Sequence, residues 1–111
     1  EGEGLLANIA KIILRYPEMK ITVTGHTDNQ AVARQSLDNW QYSSLRAVSV
    51  VKYLMAENIG ANRMLAASKS EFQPLESNET EKGRMRNRRI ELIIYPAVAN
   101  FERDLERLLN K

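Results

Sequence analysis

Cysteine is absent from the 111 residues, which excludes disulfide staples, thiolate nucleophiles and cysteine metal sites. The redox compartment stays open, because an oxidising space permits disulfides without requiring them. A single histidine, His26, excludes a multi-histidine metal centre. No apolar run approaches the roughly 20 residues of a membrane-spanning helix, and the opening Glu1-Gly2-Glu3-Gly4 is no signal peptide. Any targeting segment or tether is therefore expected outside this sequence. Charge of one sign is lacking too. The 16 basic and 14 acidic side chains leave a net charge of +2, which makes no whole-chain case for nucleic acid. What remains, 43% hydrophobic and 27% charged residues, suits one domain, residues 1–111, with a single modest core.

No repeat, low-complexity tract or linker interrupts the chain. Leu5, Leu6, Ile9, Ile12 and Ile13 recur at helical spacing, and Tyr16-Pro17 closes that helix. Lys20 to Thr24 alternates as a strand with Ile21 and Val23 on one face, stopping at Gly25. From His26 to about Asp38 the chain is polar and aperiodic, which predicts a long exposed loop, a feature more often functional than accidental. A second helix follows, capped by Asp38 or Asn39, with Leu45, Val48, Val51 and Met55 as its apolar stripe, widened by Leu54. Asn58 and Gly60 end it. Met64 to Ala67 reads as a short buried strand, and Ser68 to Ser77 as a loop around Pro74. Asn78, with Glu81 three residues on, predicts a short helix that Gly83 weakens. Ile90 to Tyr95 is the clearest strand, ended by Pro96, and Val98, Phe101, Leu105 and Leu108 stripe a terminal helix over about 98–110. This order implies an α/β fold of two layers, with helices packed on a small mixed sheet. Three strands make it thin, and one strand reads as missing from its N-terminal end.

Gly25-His26-Thr27-Asp28-Asn29 lies just beyond a strand end, where open α/β sheets place ligand loops. Arg46 stands in the first turns of the next helix, and a strand end and a helix start can converge. Asp28 beside Arg46 suits a zwitterion: the carboxylate accepts an ammonium, and the guanidinium takes a carboxylate through two parallel hydrogen bonds. An internal Asp28–Arg46 salt bridge without ligand is the plainer reading of the spacing alone.

Three ordered blocks add specificity. Gly25-His26-Thr27-Asp28-Asn29, Asn39-Trp40-Gln41-Tyr42-Ser43-Ser44-Leu45-Arg46-Ala47 and Gly83-Arg84-Met85-Arg86-Asn87-Arg88-Arg89-Ile90-Glu91 resemble the signatures of the OmpA-like peptidoglycan-binding domain. That family reads G-H-T-D, N-x-x-L-S-x-x-R-A and G-R-x-x-N-R-R-V/I-E, and the Asn-Trp start with its long preceding loop is most similar to the MotB-type branch. The resemblance covers roughly Leu5 to Tyr95. It implies a non-covalent wall anchor that grips the diaminopimelate of the peptidoglycan stem. By motif position, Asp28 holds the diaminopimelate ammonium and Arg46 its carboxylate, Asn39 and Arg88 line the site, and Thr27 supports it through loop hydrogen bonds. Three departures stand out. Tyr42 replaces the usual Leu, Ser68-Lys69-Ser70-Glu71 stands where the family has a G-x-G-E turn, and the family's first strand has no counterpart.

Other features have plainer readings. His26 at a strand end reads as a hydrogen-bonded structural residue rather than a cation ligand, and a Ser43-His26-Asp28 triad lacks a nucleophile elbow. Lys82, Arg84, Arg86, Arg88 and Arg89 form a basic run without interleaved aromatics, so Arg88 is expected at the site and the others in surface pairs. Trp40 is expected to pack on its own loop. The terminal helix either covers the sheet or forms a homodimer contact.

The resulting expectation is a binding module without chemistry, metal or cofactor. It is expected to be periplasmic and tethered to the inner or outer membrane by a segment outside this sequence, with the peptide stem as partner. The alternative is a protein-interaction or dimerisation module of the same fold that has lost wall binding; an envelope hydrolase comes third.

Overall fold

A computed structural model describes residues 2–30, 37–95 and 99–110. The middle of the expected loop, 31–36, and Pro96 to Val98 lie outside the described residues. Helix α1 (Gly2–Leu14) buries Ile9, Ala10, Ile12 and Ile13, the face that its apolar spacing predicts. It stops ahead of Pro17, and a distant side chain ties down the turn that follows. Arg63 donates from Nη2 to the Ile13 and Tyr16 carbonyls at 3.2 and 2.7 Å, and from Nε to Met19 at 2.9 Å.

Strand β1 (Lys20–His26) is the middle of three. It pairs in parallel with β2 (Met64–Ser70) and antiparallel with β3 (Arg89–Tyr95), with Ile21 opposite both Met64 and Ile94. Alternation then sorts the side chains. Ile21 and Val23 are buried beneath the helices, whereas Leu65, Ile93 and Tyr95 lie on the uncovered face. The mixed sheet with helices on one side is the two-layer α/β architecture expected. Two strand readings need correction. β1 continues through Gly25 and His26, and β2 is a seven-residue edge strand rather than a short buried one, with Leu65 61% exposed.

Helix α2 (Asn39–Ala56) is capped by Asp38, which accepts from Gln41 N at 2.7 Å while Gln41 Oε1 takes the Asp38 N–H at 3.0 Å. Its buried residues are Asn39, Ser43, Ala47 and Leu54; of the predicted stripe Leu54 and the half-buried Val51 face the core, whereas Leu45, Val48 and Met55 face outward. Size decides this. A Cβ on Gly25 would stand 2.1 Å from the Ser43 carbonyl oxygen, so helix and sheet touch backbone to backbone and only small residues fit between them. Asn58, at φ 74°, turns the chain out of α2, and Ile59 N donates back to the Leu54 carbonyl at 3.1 Å.

Helix α3 (Glu81–Asn87) starts on Thr80 rather than Asn78, with Gly83 N donating to Thr80 Oγ1 at 3.0 Å. Gly83 is a requirement of this turn, not a weakness, because a Cβ there would lie 1.8 Å from the Ser77 carbonyl oxygen. Helix α4 (Ala99–Leu109) packs on α1. Phe101 is buried with its ring edge-on to Tyr16, centroids 5.5 Å apart, and the Tyr16 hydroxyl donates to Asp104 at 2.9 Å.

Candidate functional site

The end of β1 builds the site. A bulge between Gly25 and His26 pairs His26 with Ser70, skipping Lys69, and Ser70 adopts a left-handed φ of 53°. Thr27 N then donates to the Ser70 carbonyl at 2.8 Å. His26 is fully buried, its Nε2 2.7 Å from Glu91 Oε1, the structural role expected of it. The bend turns Asp28 inward, so the exposed loop carboxylate predicted from polarity is in fact only 5% exposed.

Asp28 is held at both oxygens. Oδ2 accepts from Arg88 Nη1 at 2.5 Å, and Oδ1 from Gln30 N at 2.9 Å. Arg88 donates its other nitrogen to Glu81 Oε1 at 3.0 Å. The bond to Glu81, followed by that to Asp28, raises the guanidinium pKa above its ordinary value, so Arg88 is a permanent cation. Thr27 Oγ1 donates to the Asp28 carbonyl at 2.9 Å. Asn39, at the first turn of α2, donates Nδ2 to the same carbonyl at 3.5 Å and to Glu71 Oε1 at 3.3 Å. Its Oδ1 is buried without a hydrogen-bond partner.

Thr27, Asp28, Asn39 and Arg88 therefore converge. Arg46 does not join them by direct contact. The Asp28–Arg46 salt bridge of the plainer reading is not made; Asp28 pairs with Arg88, and the Arg46 guanidinium lies 5.7 Å from the centre of the Tyr42 ring. Among the described residues Arg46 has no carboxylate partner. Tyr42, the departure from the family's Leu, thus has a definite contact.

The other candidates fall to structural roles. Ser43 Oγ donates to the Asn39 carbonyl at 2.8 Å and also meets the Ser68 hydroxyl, so Ser43, His26 and Asp28 form no relay. Arg84 donates to the Asn78 carbonyl at 2.8 Å, Arg86 pairs with Glu76 at 2.8 Å and Arg89 donates to the Gln73 carbonyl at 3.0 Å. The basic run is dispersed. Among the described residues no three His, Asp or Glu side chains gather as a metal site. Trp40 packs on Phe72, and the middle of its own loop lies outside the described residues.

Spacing alone missed Glu71, Gln30 and Asn87. Fully buried Asn87 accepts from Leu75 N at 2.7 Å and Glu76 N at 3.1 Å, and donates to the Glu76 carbonyl at 2.9 Å and to Asn78 Oδ1 at 2.8 Å. It folds the loop after β2 onto α3. Its place in the third sequence block was the available signal.

Comparison with known proteins agrees with this fold. The chain is 35% identical over 99 residues to motility protein B of Bacillus subtilis, covering 86% of this chain and 38% of that protein. It is 29% identical over 90 residues to the peptidoglycan-binding protein ArfA of Mycobacterium bovis, covering 81% of this chain and 27% of that protein. It therefore spans well under half the length of either relative. The crystal structure of the C-terminal domain of Helicobacter pylori MotB superposes with a TM-score of 0.78 at 26% identity, over 97% of this chain and 81% of that one. The OmpA family model matches residues 1–88, and the chain belongs to the OmpA family.

Proposed function

We propose that this domain binds peptidoglycan non-covalently, gripping the peptide stem at its diaminopimelate residue, and so anchors an envelope protein to the wall from the periplasm. It works by binding, without chemistry. The observation that carries the reading is the buried, unpartnered Oδ1 of Asn39 beside Asp28. A carboxylate offers about four acceptor positions, and Asp28 uses two. The positions left on Asp28 and the Asn39 oxygen are acceptors that an ammonium would satisfy. Arg46, about 10 Å further along α2 and unpaired with any described carboxylate, supplies the fork for the ligand's own carboxylate. The relative named as a peptidoglycan-binding protein supports the wall as the partner in general.

Co-sedimentation with purified sacculi tests this. Asn39→Ala and Arg46→Ala, whose side chains are not in the hydrophobic core, are expected to stay folded and to remain in the supernatant. Both variants pelleting like the wild type would falsify the assignment.

The outward-facing Leu45, Val48 and Met55 on α2 favour a second reading, a protein-interaction or dimerisation module. It predicts a sedimentation coefficient that rises with concentration, and no shift at Asp28 or Arg46 when a diaminopimelate muropeptide is added.

A further inference from the structure

We propose that Trp40 and Phe72 form a stacking platform for an N-acetylated hexosamine of the glycan strand, adjoining the cluster around Asp28; this rests on reading that cluster as the stem site. The two rings lie 5.7 Å apart at 37°. Trp40 is 49% exposed and Phe72 65% exposed. Their placement follows from the site itself. Trp40 is the residue after Asn39 and Phe72 the residue after Glu71, and the Asn39–Glu71 hydrogen bond draws both rings to one lip.

The groove beside them is lined by Leu37, Trp40, Gln41, Ser44 and Leu45. Its chemistry suits an acetamido sugar. A pyranose presents an apolar C–H face that covers an aromatic ring while its hydroxyls stay in water, as amphipathic partners of exposed aromatics do. The acetamido methyl fits Leu37 and Leu45, and the Gln41 amide and Ser44 hydroxyl supply hydrogen bonds to its polar end. Reach agrees as well. A diaminopimelate at Asp28 is joined to the sugar through two further stem residues, an extended span of about 10 Å. Trp40 sits one residue plus a side chain's length from Asn39, which touches the Asp28 carbonyl.

Trp40 is the only tryptophan in the chain, so its fluorescence reports this lip alone. The domain is titrated with peptide-free glycan strands, with sugar-free stem peptide and with a muropeptide carrying both. The platform predicts an emission change with glycan, and a muropeptide affinity about tenfold above that of the stem peptide. Phe72→Ala and Trp40→Ala, the latter read by calorimetry, erase that advantage and leave stem-peptide binding unchanged, and Trp40→Phe restores part of it. Unaltered emission with glycan overturns the proposal, as does a Phe72→Ala protein that keeps the tenfold advantage. Stem peptide changing the emission as strongly as muropeptide also overturns it, since the groove then takes peptide. A glycan response without stem-peptide binding sinks the diaminopimelate reading and leaves the platform standing.

Discussion

Asp28 Oδ2 and Arg88 Nη1 meet at 2.5 Å across 60 positions of sequence, the aspartate buried and the arginine shared with Glu81. The pair ties the end of β1 to the junction of α3 and β3. Removing one partner strands a buried charge, which costs more than removing both. Arg88→Ala is expected to lower the melting temperature by about 5 °C or more, and Asp28→Asn in that background to recover part of the loss. Strictly additive single and double variants would show that the two groups are not coupled.

Ser70 occupies a left-handed backbone region at φ 53°, and its buried hydroxyl has no partner. A left-handed conformation costs an L-residue about 1–2 kcal/mol, partly offset in a glycine variant by the entropy of the unfolded chain. Ser70→Gly is expected to stabilise the domain by about 0.5–1 kcal/mol, visible as a higher urea midpoint. An unchanged or lower midpoint contradicts the argument.

Gly25 is where the backbone of α2 rests on the sheet, with the Ser43 carbonyl oxygen 2.1 Å from any added Cβ. Backbone cannot yield as a side-chain tip can. Gly25→Ala is expected to cost about 3 kcal/mol and to weaken ligand binding by lifting Asn39 away from Asp28. A variant with wild-type denaturation and wild-type sacculus binding would refute the close-contact account.

Tyr16 carries the pH dependence of the α1–α4 junction. Burial, then its hydrogen bond to Asp104, raises its pKa above the ordinary 10.0. The folded state thus holds the phenolic proton more tightly than the unfolded chain does. The stabilisation is complete below about pH 10, the unfolded value, and is lost as pH rises through the folded pKa. The melting temperature of the wild type is expected to fall more steeply above pH 10 than that of Tyr16→Phe. Parallel slopes would remove Tyr16 from the explanation.

The sequence was most readable where a local period coincided with the core. Ile9, Ile12 and Ile13 in α1, and Ile21 and Val23 in β1, faced inward as their spacing requires. It misled where a tertiary contact overrode hydrophobicity. On α2 the close approach at Gly25 admits Ser43 and Ala47 and turns Leu45 and Met55 to solvent. Asn78 and Thr80 are both good capping residues, and the choice between them falls to Asn87, whose Nδ2 engages the Asn78 side chain. Four of the five candidate site residues converge, and the resemblance to the family's three sequence blocks had named them. The burial of Asp28 was illegible, because it depends on Arg88 arriving from the far end of the chain. The platform went unread for the same reason, since Phe72 reaches Trp40 only through the fold.

The position of β1 in the sheet has a mechanical consequence. Asp28 follows directly from the central strand, which is bonded to β2 along one side and to β3 along the other. A pull on anything fastened at Asp28 therefore enters as shear across two ladders at once, with many backbone bonds sharing the tension. An attachment on an outer strand would instead unzip a single seam, one rung at a time.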